Sequence, residues 1–167
     1  MIKVLFICHG NICRSTMAES MFTDMVKQKG LSELFEIDSA ATHDDEISFD
    51  GVGNPPYYGT VNKLKAVGIP VIPHEARMMT AEDYQKFDYL IGMDENNIYD
   101  MKRIAHGDRK QKIYLMLSFA GVNREVADPW FTRNFEATYE DLKIGLTAFF
   151  EFLKEREGEK YPELIQS

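Results

Sequence analysis

The stretch Ile2-Lys3-Val4-Leu5-Phe6-Ile7-Cys8-His9-Gly10-Asn11-Ile12-Cys13-Arg14-Ser15 decides the fold. Its first residues are apolar and rich in β-branched side chains, which predicts a buried strand. After Ser15, Met17, Met21, Phe22, Met25 and Val26 recur at helical spacing, and Gly30 supplies a stop. A strand, a short loop and a helix start form the unit with which α/β proteins bind phosphate. Loop N–H groups point inward, and the positive end of the helix dipole faces the anion.

This loop also carries a thiol at Cys8 and a guanidinium six residues later at Arg14. If the loop curls around one tetrahedral oxyanion, the Cys8 sulfur sits beneath its centre. Arg14 then reaches two of its oxygens with a planar fork of donors. The same positive surroundings favour the thiolate as a resting nucleophile. Ser15 can donate a hydrogen bond to the sulfur. Gly10 allows a tight turn, and Asn11 tolerates left-handed geometry and can tie the loop to a neighbour. His9, Ile12 and Cys13 complete the candidate phosphate-binding set.

Downstream, Phe35–Ala40, Asp88–Met93 and Lys112–Leu117 read as strands. Helices are expected over about 56–67, from Thr80, over 94–104 and over 135–156. Thr80 resembles an N-cap, with Glu82 and Asp83 in the first turn. Thr42 to Tyr58 holds Gly51, Gly53, Asn54, Pro55 and Pro56 and reads as a surface loop. Strands alternating with helices imply a parallel sheet. The expectation is a single α/β domain over residues 1–167, with a four-stranded parallel sheet, helices on both faces and the phosphate-binding loop after strand one. Ligands in such sheets bind at the carboxyl ends of strands, which is where the loop falls.

The net charge of −8 opposes polyanions, so no nucleic-acid partner is expected. An acidic chain with an anion site must make its positive potential locally. Too few apolar residues follow Lys3 for a secretory signal, and no run is long enough to span a membrane. With only two cysteines, close together, a disulfide framework is not indicated. A cytoplasmic location is the expectation. His43, His74 and His106 lack metal-ligand spacing with the cysteines, so no zinc site is read among them. His74 reads as a buried, hydrogen-bonded residue with Asp94 as its partner.

The second chemical element is Val126-Ala127-Asp128-Pro129-Trp130-Phe131. Asp-Pro alone is a turn signal, since proline pushes the preceding residue out of helical geometry. Beside a Cys-to-Arg phosphate loop, Asp128 becomes the candidate acid that protonates a departing phosphoester oxygen. Trp130 and Phe131 can then wall a cleft for an aromatic leaving group.

The chain resembles the low-molecular-weight protein tyrosine phosphatases over nearly its whole length. The resemblance rests on Cys8–Ser15, Ala18-Glu19, Asp38–Thr42, Gly53–Pro56, His74–Arg77, Asp88–Asn97 and Asp128-Pro129, in that order. It implies a metal- and cofactor-independent phosphoric monoester hydrolase. In that reading Cys8 forms a phosphocysteine, Arg14 and the loop amides hold the phosphoryl oxygens, and Asp128 acts as acid and then base. Phosphotyrosine-containing proteins or small aryl phosphates are the implied partners; oligomeric state is left open. Asn11, Ser39 and His74 are implied supports of the loop, with Asn11 and Ser39 bonded to each other. Cys13 reads either as a packing residue or, by resemblance, as the partner of Cys8 in a reversible protective disulfide.

Several positions depart from the family pattern. His9 replaces an apolar residue and either raises the local positive potential or faces solvent. Thr16 replaces a common proline at the helix start. Trp130-Phe131 stands where many members carry paired tyrosines. The segment from His43 to Gly51 is longer than usual, with Phe49 as its candidate cleft-lining residue. Asp44, Asp45, Glu46 and Asp50 read as a solvated loop. An arsenate reductase would need further cysteines, and none follows Cys13. A non-catalytic phosphate-binding module would not need both Cys8 and Asp128.

Overall fold

The computed structural model describes residues 1–167. In chain order the elements are β1 (Ile2–Cys8), α1 (Arg14–Gln28), β2 (Phe35–Ala41), α2 (Tyr58–Ala66), α3 (Ala81–Lys86), β3 (Tyr89–Gly92), α4 (Glu95–Ile104), β4 (Ile113–Leu115), α5 (Pro129–Thr132) and α6 (Phe135–Glu157). All neighbouring strands are parallel, in the order β2-β1-β3-β4. The expected single α/β domain with a four-stranded parallel sheet is what forms.

Strand β1 lies inside the sheet, and its two faces carry two cores. Ile2, Val4, Phe6 and Cys8 face a large core built with Met17, Met21 and Phe22 of α1 and Leu142, Leu146, Phe149 and Phe150 of α6. Leu5 and Ile7 point the other way, onto Tyr84 of α3, Phe87 and Met101 of α4. The alternation is the period-2 pleat of a strand covered on both sides. Within the larger core, Phe22 meets Phe6, Phe35 and Phe149 with ring centroids 5.3–5.9 Å apart. Edge and tilted contacts of this kind add to area burial.

The chain leaves β1 to pair β2 on one side, then returns with β3 on the other. The carboxyl end of β1 is therefore the topological switch point, and the crevice it opens holds the Cys8–Ser15 loop.

Two expectations change. The apolar run 112–117 is not one strand: β4 ends at Leu115, and Met116–Ala120 turns as a 3-10 helix closed by left-handed Gly121. Met116 is drawn under α6, where the absence of a side chain at Gly145 leaves it room. The second change is α5, a single turn started by Pro129. Its proline at the first helical position is pre-set for a helix start.

Candidate active site

The loop is shaped by one residue above all. Asn11 has φ +62°, while Gly10 keeps a negative φ, so the left-handed turn falls on the asparagine rather than the glycine. The buried Asn11 side chain stabilises that strained backbone through four hydrogen bonds. Its amide donates to Ser15 Oγ at 2.8 Å and to Ser39 Oγ at 3.0 Å. Its carbonyl accepts from the Arg77 N–H at 3.1 Å and from His74 Nε2 at 2.7 Å. The expected Asn11–Ser39 bond and the His74 support are both present. Ser15 Oγ accepts from Asn11 and so has its own proton free for Cys8 Sγ, 3.1 Å away.

Helix α1 begins at Arg14 with no side-chain cap and no acidic residue in its first turn. By contrast, α3 and α4 both open with complete capping boxes. An uncapped start leaves the first N–H groups of α1 to an anion in the loop.

Arg14 is 3% exposed and held from two sides. Nη1 donates to Asp94 Oδ2 at 2.9 Å, and Nη2 meets Asp128 Oδ2 at 3.4 Å. Burial opposes its charge, but Cys8, Asp128 and Asp94 outweigh that and raise its pKa. Asp128 is also the cap of α5, its Oδ1 accepting from the Trp130 N–H at 3.0 Å. The local Asp-Pro turn thus aims one carboxylate oxygen at the guanidinium. Asp94 is likewise the cap of α4. This corrects the expected His74–Asp94 pairing: Asp94 serves Arg14, and His74 turns to Asn11, Ser39, Glu19 and Asp38.

Cys8, His9, Gly10, Ile12, Cys13, Arg14, Asp128, Trp130 and Phe131 line one cleft of about 510 Å³. Asn11, Ser15, Ser39 and His74 lie outside it as supports. Phe49 does not enter the cleft. It projects fully into solvent, because the bridge between Ile47 and Gly53 turns its segment outward. The residues of that loop that do line the cleft are Asp45 and Glu46. Gly53 is needed where it stands, since a Cβ there would collide with the Ala76 backbone.

His9 is an exposed partner of Asp45, with Nε2 2.6 Å from Oδ2. Its ring stacks on His43 at 4.1 Å, and His43 Nε2 lies 3.9 Å from Asp100. The His9–Asp45 pair and the His9–His43 stack therefore join the phosphate loop to the segment after β2, and the His43–Asp100 pair ties that segment to α4. Sequence spacing gave no sign of Asp45, Asp94 or Glu19 in these roles. The capping pattern Asp94-x-x-Asn97 was the one local signal for a fixed carboxylate at that site.

Cys13 is a free thiol like Cys8, but desolvation, with Cys8 and Asp128 adding to it, pushes its pKa up to about 12. Behind the loop, burial raises Glu19 to about 7 against the hydrogen bond it accepts from Ser39. Burial lowers His74.

The family model for low molecular weight phosphotyrosine protein phosphatase matches residues 3–159. A human protein of that name is 39% identical over 154 residues, covering 89% of this chain and 94% of its own. The crystal structure of YfkJ from Bacillus subtilis superposes with a TM-score of 0.84 at 35% identity, covering 94% of this chain and 97% of that one. The low molecular weight protein tyrosine phosphatase from Streptococcus pyogenes gives 0.81 at 36% identity, covering 96% and 99%.

Proposed function

This chain belongs to the low molecular weight phosphotyrosine protein phosphatase family, and we propose that its cleft hydrolyses phosphotyrosine and other aryl phosphate monoesters through a phosphocysteine at Cys8. The Cys8 thiolate attacks phosphorus in line with the ester oxygen. The P–O bond to the phenol breaks as Asp128 gives that oxygen its proton. Arg14 and the N–H groups of the loop and of the first turn of α1 hold the equatorial oxygens as charge develops. Water then attacks the phosphocysteine with Asp128 taking its proton. Inorganic phosphate and the Cys8 thiolate are released, the latter helped by the Ser15 hydroxyl.

The observation that carries this reading is the clamp on Arg14. Asp128, remote in sequence, is brought to 3.4 Å from a guanidinium that lines the same cleft as the Cys8 thiol. Nucleophile, phosphate ligand and acid thus share one cleft. Asp94, at 2.9 Å, orients Arg14 and leaves the second nitrogen of its fork near Asp128. Trp130 and Phe131 supply the aromatic wall against which a phenyl ring stacks. Phosphotyrosine-containing proteins are the proposed substrates, with cytoplasmic location as part of the proposal. It is supported by the two free thiols and by the lack of any helix long and apolar enough to cross a membrane.

The test is turnover of p-nitrophenyl phosphate. The wild-type chain hydrolyses it without added metal. Cys8→Ser loses the rate by on the order of 10⁴-fold or more, the scale of nucleophile removal. Wild-type turnover by Cys8→Ser would rule out the thiolate mechanism.

A further inference from the structure

A second cavity, of about 230 Å³, adjoins the catalytic cleft and shares Cys13 and Trp130 with it. Tyr57, Tyr58, Phe135 and Arg133 add to its wall. Tyr57 is fixed to the phosphate loop, its N–H donating to the Ile12 carbonyl at 2.9 Å. Its ring stacks on Phe135 at 6.0 Å, with planes 15° apart, and meets Trp130 edge-on at 6.2 Å. Phe135 can sit there because Gly59 has no side chain: a Cβ at Gly59 would lie 2.3 Å from the ring.

Arg133 is the one cation of this aromatic wall. It closes α5 with φ +58°, a position where glycine is the usual residue. A strained backbone position thus carries a long charged side chain, and such strain gathers at functional sites. Arg14, Arg77, Arg103 and Arg124 each meet a carboxylate. Arg133 is exposed and meets none. Its charge reaches the Tyr57 phenol, where it opposes the rise in pKa that the Tyr58 hydroxyl causes. The carboxylates of the cleft rim, Asp45 and Glu46, do not line this cavity. A substrate chain lying across the cleft therefore meets negative charge at Asp45 and Glu46 and a free guanidinium at Arg133.

We propose that this cavity is a second substrate subsite, resting on the phosphotyrosine reading of the cleft, and that it takes an aspartate or glutamate side chain flanking the phosphotyrosine. The carboxylate lies on the Arg133 fork, whose geometry suits two parallel hydrogen bonds. The methylenes of the acid lie against Tyr57 and Trp130. Two residues of an extended chain span about 7 Å, so a residue one or two positions from the phosphotyrosine reaches the adjoining cavity. Arg133 stands on one side of the cleft, so the preference is one-sided. Arg133 is a specificity residue and takes no part in phosphoryl transfer.

Hydrolysis of a set of phosphotyrosine peptides by the full-length chain tests the proposal. Glutamate, alanine, lysine or phenylalanine is placed in turn at each of the two positions on either side of the phosphotyrosine. Glutamate on one side is expected to raise kcat/KM about three- to tenfold over alanine, through KM, as suits a partly exposed ion pair. On the other side it gives no gain. Arg133→Gly suits the left-handed backbone and keeps its Tm, but loses the glutamate gain. Arg133→Glu turns the preference to lysine, a reversal that a merely structural role would not produce. Both variants turn over p-nitrophenyl phosphate like the wild type, because that ester has no flanking residue. Absence of a one-sided glutamate gain overturns the subsite, as does a gain that survives Arg133→Gly. A preference for phenylalanine that Arg133→Gly leaves unchanged assigns the cavity to an apolar side chain and also overturns it. Failure of the wild-type chain to hydrolyse p-nitrophenyl phosphate strikes the reaction of the cleft instead. Binding of the same peptides to Cys8→Ser, followed by fluorescence polarisation, then still reads the subsite.

Discussion

On the floor of the cleft, Asn11 and Ser15 are fully buried and Arg14 is 3% exposed, and each is bonded to at least two partners. On the rim, Trp130 is 61% exposed and Phe131 82% exposed, and His9 meets Asp45 in the open. The floor works by position, so its groups are over-determined by hydrogen bonds from α1, β2, the His74 connection and the caps of α4 and α5. The rim works by contact area, so its groups remain free to meet a ligand. Substitutions on the floor should therefore reach the chemical step, and substitutions on the rim should reach binding.

The largest contrast lies within the floor itself. The Cys13 pKa of about 12 leaves a thiolate fraction of only about 10⁻⁴ at pH 8. Iodoacetate at that pH should label Cys8 and leave Cys13 unmodified, as peptide mass mapping will show. The same shift has a stability consequence of definite sign. Unfolded Cys13 titrates near its ordinary value of 9.0, below its folded value. The stability it contributes is complete below that pH and is lost as pH rises toward 12. Urea midpoints measured upward from pH 9 should fall, and Cys13→Ala should fall less.

Asp128→Ala comes next. It should lower kcat for phenyl phosphate by on the order of 10²–10⁴, the range of general acid loss. Because p-nitrophenol leaves without help, the loss with its ester should be smaller. An equal loss with both esters would move Asp128 from proton donor to structural cap of α5. Asn11→Ala then tests whether the floor is held as argued. It strips partners from Ser15, Ser39, His74 and the Arg77 N–H, and leaves an alanine at φ +62°. The expected cost is on the order of 1–3 kcal/mol in chemical denaturation, with a matching fall in kcat. On the rim, Trp130→Ala should raise KM for aryl phosphates by up to about tenfold with kcat nearly unchanged, since a ring contact is worth about 0.5–1.5 kcal/mol. Phe49→Ala should change neither constant, because Phe49 stands outside the cleft.

The same division explains what could be read from sequence. Cys8, Arg14, Ser15 and Asp128-Pro129 were legible because their geometry is local: a strand end, a helix start and a proline turn each act over a few residues. The parallel sheet was legible because apolar runs alternate with helical spacing. What was missed is long-range. Asp94 meets Arg14 only because β1 and β3 pair side by side, and their carboxyl ends bring the two residues together. Glu19 lies on a helix face whose partner strand no spacing reveals. Phe49 was misplaced because the Ile47–Gly53 bridge, a tertiary feature of a polar loop, decides which side chains face inward. The run 112–117 was overextended because burial of Met116 against Gly145 of α6 overrides its strand pattern.

Covalent capture of the phosphoryl group by Cys8 is the step on which the proposed hydrolysis depends. Rapid acid quench of the wild-type chain during turnover of p-nitrophenyl phosphate, followed by peptide mass analysis, tests this most directly. One added phosphoryl group is expected on the peptide bearing Cys8, and none in Cys8→Ser. Steady turnover with that peptide unmodified at every quench time, or phosphate found on another side chain, would contradict it.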